Sequence, residues 1–263
     1  MISFVGAGPG APDLMTLRGR DRLAVADVVV WASSLVPDAL LAHARPGAVV
    51  LDSAGMTLED VLAVYATHPE SAIVRLHSGD PALYGAIGEQ IDWCLANGRD
   101  FEIVPGVSSL AAGAAALGRE LTVPGVAQSV ILTRLPGRTA GSVPAGESLA
   151  ALAAHGATMG VFLSGARPEE LQTQLLAGGG YTPATPAAVV VRATWPDEAV
   201  YETTVADLAA TVRRSGASRT VLVLVGEALA PGLRAGRSHL YSPDYAHAFR
   251  RRSAPGSTAG RPA

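Results

Sequence analysis

The chain has 263 residues, 49% of them apolar and 16% charged, with a formal net charge of −3. That is enough apolar sequence for one large core or two small ones, and too little positive charge to favour nucleic acid as the main partner, because phosphate binding needs a concentrated basic surface. All twenty basic residues are arginine and Cys94 is the sole cysteine, which excludes lysine Schiff-base chemistry, an intramolecular disulfide and a cysteine-based zinc site.

Along the first half, short apolar runs alternate with helical patterns, the mark of parallel α/β units. Residues 2–5 read as a strand, followed by the loop Gly6-Ala7-Gly8-Pro9-Gly10-Ala11-Pro12. Thr16 is placed to cap the next helix, and 26–31 and 48–51 read as strands, the first a buried one. Thr57-Leu58-Glu59-Asp60 has the form of a capping box with Asp in place of Glu and opens a helix reaching about Thr67. Residues 72–76 form a strand ending at His77, 84–97 a helix with Gly98 beyond its cap, and 101–104 a strand. The run 108–117 is a small-residue helix suited to lying close against a sheet.

The periodicity breaks near 121–128, which places a domain boundary there and divides the chain into 1–122, 123–232 and an extension, 233–263, disordered from about 253. In the second half, strands are expected at 129–133, 159–163, 187–191, 200–204 and 221–225, with helices near 147–155, 169–176 and 205–214. Two consecutive strands without a helix between them imply a hairpin, hence a mixed sheet beside the mainly parallel first one. No apolar run approaches the roughly 20 residues of a membrane span. The opening residues lack the basic segment of a secretion signal, so a cytoplasmic protein with no membrane or nucleic-acid partner is expected.

Three strand-to-helix junctions carry possible chemistry, at the sheet edge where open α/β folds bind ligands. In the glycine loop, Pro9 removes one N–H and the spacing is not G-x-G-x-x-G, so a dinucleotide cradle is disfavoured. The loop then serves either a different ligand or a tight turn. At His77-Ser78-Gly79-Asp80-Pro81, Gly79 permits close approach of a ligand and Asp80 either accepts its hydrogen bonds or caps a helix. In Pro105-Gly106-Val107-Ser108-Ser109, the hydroxyls and free helix amides bind a polar ligand, or Ser108 only caps the helix.

Taken together, G-A-G-P-G, D-S-A-G-M-T-L-E-D, R-L-H-S-G-D-P-A-L-Y-G-A-I-G-E-Q, V-P-G-V-S-S, R-E-L-T-V-P, V-I-L-T-R, G-R-T and R-A-T-W-P-D-E occur in this order. The chain thereby resembles the tetrapyrrole (corrin/porphyrin) methylases over roughly residues 1–252, and within them the branch that methylates C-11 of precorrin-4. The resemblance implies two α/β domains, S-adenosylmethionine in the cleft between them, a polycarboxylate macrocycle as substrate and a homodimer. Carried over by motif, the cofactor contacts are Pro9, Ser78, Gly79, Asp80, Leu83, Ser108 and Ser109 from the first domain, with Leu163, Ala188 and Thr204 from the second.

Arginine suits carboxylates through bidentate bonds, which makes Arg75, Arg119, Arg134, Arg138 and Arg192 the substrate-binding candidates. Asp52, His77, Tyr84 and Glu120 are the candidates for proton transfer, His77 having the most suitable unperturbed pKa. No resident metal is expected. The rivals are a sister methylase acting at another ring position and a non-catalytic nucleotide-binding module.

Overall fold

The computed structural model describes residues 1–135, 141, 143–232, 238, 240, 242 and 245–248. Arg138 and the chain beyond residue 253 lie outside these. The first half builds a five-stranded, wholly parallel sheet in the order β3-β2-β4-β1-β5. Its strands are β1 (Ile2–Gly6), β2 (Val28–Trp31), β3 (Val49–Asp52), β4 (Ile73–His77) and β5 (Phe101–Val104). Helix α1 (Leu17–Ala24) follows β1, with the Thr16 hydroxyl accepting from the Gly19 N–H. In α2 (Leu58–Thr67) both halves of the Thr57–Asp60 capping box form. Val5, Val29, Val74 and Leu76 pack toward α1 on one face. On the other, Phe4, Val28, Val30 and Ile73 meet residues of α2 and of α3 (Gly88–Ala96).

Helix α3 starts four residues later than the pattern of 84–97 suggests. Residues 81–84 form a turn, and Tyr84 and Ala86 take left-handed φ values of 59° and 50°. A Cβ at Gly85 would lie 2.2 Å from the Pro81 carbonyl oxygen. The chain is therefore too tightly folded over Pro81 to begin a helix there.

The second half forms a mixed sheet, ordered β6-β7-β10-β8-β9. The strands are β6 (Val130–Arg134), β7 (Thr158–Phe162), β8 (Pro186–Val191), β9 (Ala199–Thr204) and β10 (Val221–Val225). Only β6 and β7 pair in parallel, and β8–β9 is the expected hairpin. Helices α5 (Leu149–Ala153), α6 (Pro168–Ala177) and α7 (Leu208–Arg214) cover one face through Leu149, Leu171, Leu175 and Leu208. The opposite face takes α4 (Ser109–Leu117), whose Ala112 and Leu117 pack on Ala188, Val190, Leu222 and Leu224. The small residues of α4 thus serve a close approach to the second sheet: a Cβ at Gly113 would sit 3.0 Å from a Leu222 methyl carbon. This contact draws the second sheet up to the carboxyl ends of β1, β4 and β5.

Candidate active-site cleft

From β1 the chain crosses to β2 on one side, and from β4 it crosses to β5 on the other. Their carboxyl ends therefore flank the switch point where open α/β sheets leave a crevice. Four glycines close its floor. The Ala7 N–H donates to the His77 carbonyl at 2.7 Å, and Gly8 and Gly79 exchange backbone bonds of 2.8 and 3.3 Å. A Cβ at Gly106 would fall 2.1 Å from the Gly79 oxygen and 2.7 Å from Gly6 Cα. Asp80 locks this arrangement, accepting from the Gly106 N–H at 2.9 Å and the Ala82 N–H at 2.8 Å. It staples two loops and caps a turn, since no helix starts at Pro81. Ser108 caps α4 by accepting from the Leu110 N–H at 3.2 Å.

The facing wall comes from the second half and is built differently. Leu163, Arg192 and Thr220 line it with left-handed φ values of 53°, 48° and 51°; Thr194, beside it, has 66°. Non-glycine residues reach this region at a cost of about 1–2 kcal/mol each, and such strain concentrates at functional sites. Segment 192–198 clamps the glycine loop. The Trp195 indole N–H donates to the Pro9 carbonyl at 3.0 Å, and the Ala11 N–H donates to the Thr194 hydroxyl at 2.9 Å. Gly10 is required beneath this clamp, because a Cβ there would meet the indole at 2.3 Å.

The cleft between these walls holds about 930 Å³ counting its open mouth. Eight of the ten expected cofactor residues border it: Pro9, Ser78, Gly79, Asp80, Leu83, Ser108, Ser109 and Leu163. Ala188 and Thr204 do not, and instead border a separate hollow with Leu117 and Pro231. Ala188 shares a face of β8 with Val190 but lies two residues farther from the mouth, about 7 Å away, under α4. Thr204 pairs with Pro186, at the end of the β8–β9 hairpin remote from Arg192. Ala193 and the 220–222 segment occupy the wall in their place. The turn after β8 brings Ala193 inward.

Of the four proton-transfer candidates, only Tyr84 borders the cleft; its ring packs on Phe162 at 5.4 Å, and burial raises its pKa. His77 is 7% exposed and shares the face of β4 that carries Ile73, packing beside Phe4 beneath the sheet. Desolvation, then the charge of Arg75, pushes its pKa down to about 3, and its Nε2 is buried without a partner. Asp52 is spent on loop structure, accepting from the Ser33 N–H and hydroxyl at 3.0 and 2.6 Å and from the Ala54 N–H at 2.9 Å. Those bonds hold its pKa below the usual value. Glu120 is exposed and borders none of the hollows around the cleft.

The arginines divide similarly. Arg75 runs under the sheet and donates to Ser53 Oγ at 2.8 Å and to the Val30 carbonyl at 3.3 Å. Arg119 ties α4 to the second half through the carbonyls of Leu117 and Leu229 and an ion pair with Glu202 at 3.1 Å. Both are structural, because strand alternation and the helix end aim them away from the cleft. Arg192 lines the cleft, stacks over Trp195 at 5.7 Å and pairs with Asp197. Arg134 borders an adjoining hollow with Tyr84 and Glu147. Among the described residues, no three His, Cys, Asp or Glu side chains cluster as a metal site, and no helix is long and apolar enough to cross a membrane.

Comparison with known proteins agrees with this geometry. A family model described as Tetrapyrrole (Corrin/Porphyrin) Methylases matches residues 1–209. A precorrin-4 C(11)-methyltransferase from Mycobacterium tuberculosis is 46% identical over 244 residues, covering 92% of this chain and 96% of that protein. The crystal structure of a cobalt-precorrin-4 methyltransferase superposes with a TM-score of 0.83 at 45% identity, over 88% of this chain and 96% of that one. A uroporphyrin-III C-methyltransferase from Thermus thermophilus, complexed with S-adenosylhomocysteine, aligns with a TM-score of 0.69 at 28% identity, over 87% and 98%.

Proposed function

The chain belongs to the tetrapyrrole (corrin/porphyrin) methylases, and from that premise we propose that it methylates C-11 of precorrin-4, or of its cobalt form, in cobalamin biosynthesis, with S-adenosylmethionine as donor. The observation that carries this reading is the fall in identity from 46% to a C-11 methyltransferase to 28% to a methylase of another tetrapyrrole, both over most of the chain. A cytoplasmic homodimer completes the proposal.

The residues present fit the donor. Bound S-adenosylmethionine supplies a methyl group already activated by its sulfonium. The first wall presents small residues and backbone groups (Gly79, Ser108, Ser109) suited to a ribose and a zwitterion. At the start of α4 the Leu110 and Ala111 amides bond Ser108, and the Ser109 amide, at the first helical position, has no partner within the helix. Around the mouth, Leu35, Leu83, Tyr84 and Leu163 leave 36–68% of their area exposed, an apolar rim of the kind that marks a binding surface. These side chains would lie against the flat faces of adenine and macrocycle, exclude water and hold the ring carbon in line with the methyl group.

Tyr84 is the polar group on that rim. With its pKa raised it keeps its proton at neutral pH, so it acts as a hydrogen-bond donor that orients the macrocycle. The electron pair for the new bond would come from the conjugated ring, and the pair of the broken carbon–sulfur bond would stay on the sulfur. The proton the methylated ring then releases would pass to solvent, since no imidazole among the described residues lines the cleft and its one carboxylate, Asp80, is held by the Gly106 and Ala82 amides.

The test is transfer of labelled methyl to enzymatically generated precorrin-4, with the product's mass and methyl position determined. One methyl at C-11 is expected. A methyl at another carbon would assign the chain to a sister branch. Cofactor binding without transfer to any tetrapyrrole would favour the non-catalytic reading.

A further inference from the structure

Beside the cleft lies a second, more polar hollow of about 1390 Å³ counting its open mouth, which shares Arg192, Trp195 and Thr220 with it. Ser33 and Ser34 of the first half form one wall, while Tyr201 and the 215–220 loop of the second half form the others. Its charged lining is two guanidinium groups, Arg192 and Arg219, against one carboxylate, Asp197. Asp197 is already paired with Arg192. The carboxylate of Asp52 is already engaged by three donors on the Ser33 and Ala54 side. Arg219 is exposed, and no carboxylate among the described residues pairs with it. The hydroxyls of Ser34, Tyr201 and Ser218 likewise bond no protein group among the described residues. A free guanidinium ringed by free hydroxyls, opening into a methyl-transfer cleft, is a site for an anion with several acceptor oxygens.

We propose that this hollow is a carboxylate subsite in which Arg219, with Ser34, Tyr201 and Ser218, holds an acidic side arm of the macrocycle while the ring lies across Trp195 toward the cleft. The proposal rests on the polycarboxylate substrate inferred above. It makes Arg219 a substrate-positioning residue, one that acts on binding and leaves the methyl-transfer step itself alone. The cofactor also carries a carboxylate, so its affinity has to be read separately.

Full-length protein carrying Arg219→Ala or Arg219→Glu is compared with wild type in steady-state methyl transfer to precorrin-4 over a range of ionic strength, alongside cofactor titration. Arg20→Ala, an exposed helix arginine bordering none of these hollows, controls for general loss of positive charge. Arg219→Ala is expected to raise the substrate KM about tenfold, the lower end for one charge-assisted bond. Arg219→Glu should raise it further, and both should flatten its salt dependence, with kcat and cofactor Kd unchanged. An unchanged substrate KM in both variants, with active wild type, overturns the subsite and leaves the methylase reading intact. A rise in cofactor Kd would assign Arg219 to the cofactor's carboxylate and equally overturn it. If folded wild-type protein transfers no methyl to precorrin-4, the functional reading fails and the subsite falls with it.

Discussion

The two walls of the cleft solve the same problem with opposite chemistry. The first-half wall is made by removing side chains: Gly6, Gly79 and Gly106 let three strand ends touch through backbone atoms. Its opposite keeps its side chains and tolerates strain, holding Leu163, Arg192, Thr194 and Thr220 in left-handed conformations that glycine would adopt freely. One wall is a close-fitting floor; the other presents side chains at angles a relaxed backbone would not allow. Substitution should therefore have opposite signs on the two sides.

The largest effect should come from Gly106→Ala. With its Cβ 2.1 Å from a backbone oxygen that no side-chain motion can displace, we expect a loss of about 3 kcal/mol or more. Thermal melts would register it, together with loss of cofactor binding. The same Gly→Ala change at Gly55, where nothing lies within 4 Å, should be tolerated.

Next is the underside of the first sheet. His77 has a folded pKa of about 3 against 6.5 for the free side chain, so the unfolded chain binds the proton first. The stability contributed by keeping it neutral is complete above pH 6.5 and is lost as pH falls toward 3, at about 1.4 kcal/mol per unit through that range. Denaturant midpoints between pH 6.5 and about 4.5 should show this slope, and His77→Phe should flatten it. A pH-independent wild type would mean the imidazole is hydrated and the face is not closed.

Between the walls, Trp195→Phe keeps the ring but deletes the bond to Pro9. One net hydrogen bond is about 1 kcal/mol, so cofactor Kd should rise about fivefold with a smaller change in melting temperature. The smallest effect is on the second wall, where Thr220→Gly should stabilise the protein by about 0.5 kcal/mol, the relief of left-handed strain exceeding the added unfolded-state entropy. Destabilisation there would erase the contrast between the walls.

This contrast also explains what is legible in the sequence. The first wall is written in glycine, serine and proline at strand ends, which marks the three junctions but leaves ligand binding and a plain turn or cap open at each, so that its cofactor residues come from the family resemblance; the Thr57 capping box is legible directly. The left-handed turns at Leu163, Arg192 and Thr220 use residues that carry no turn signal. Ala188 and Thr204 are expected from the family resemblance, and these backbone conformations put Ala193 on the wall in their place. His77 and Arg75 fail for another reason. A central parallel strand is apolar on both faces, so Ile73-Val74-Arg75-Leu76-His77 does not say which side meets the cleft. The late start of α3 traces to Gly85 folding back over Pro81, a contact between neighbours that helical periodicity does not register.

A cofactor held between a glycine floor and a strained opposite wall should be visible in a crystal structure of the complex with S-adenosylhomocysteine. The ligand is expected against Gly79, Ser108, Leu163 and Ala193, with the Trp195–Pro9 bond intact. Ligand density in the hollow bordered by Ala188 and Thr204, or a complex in which Leu163 and Thr220 have relaxed to ordinary φ values, would contradict it.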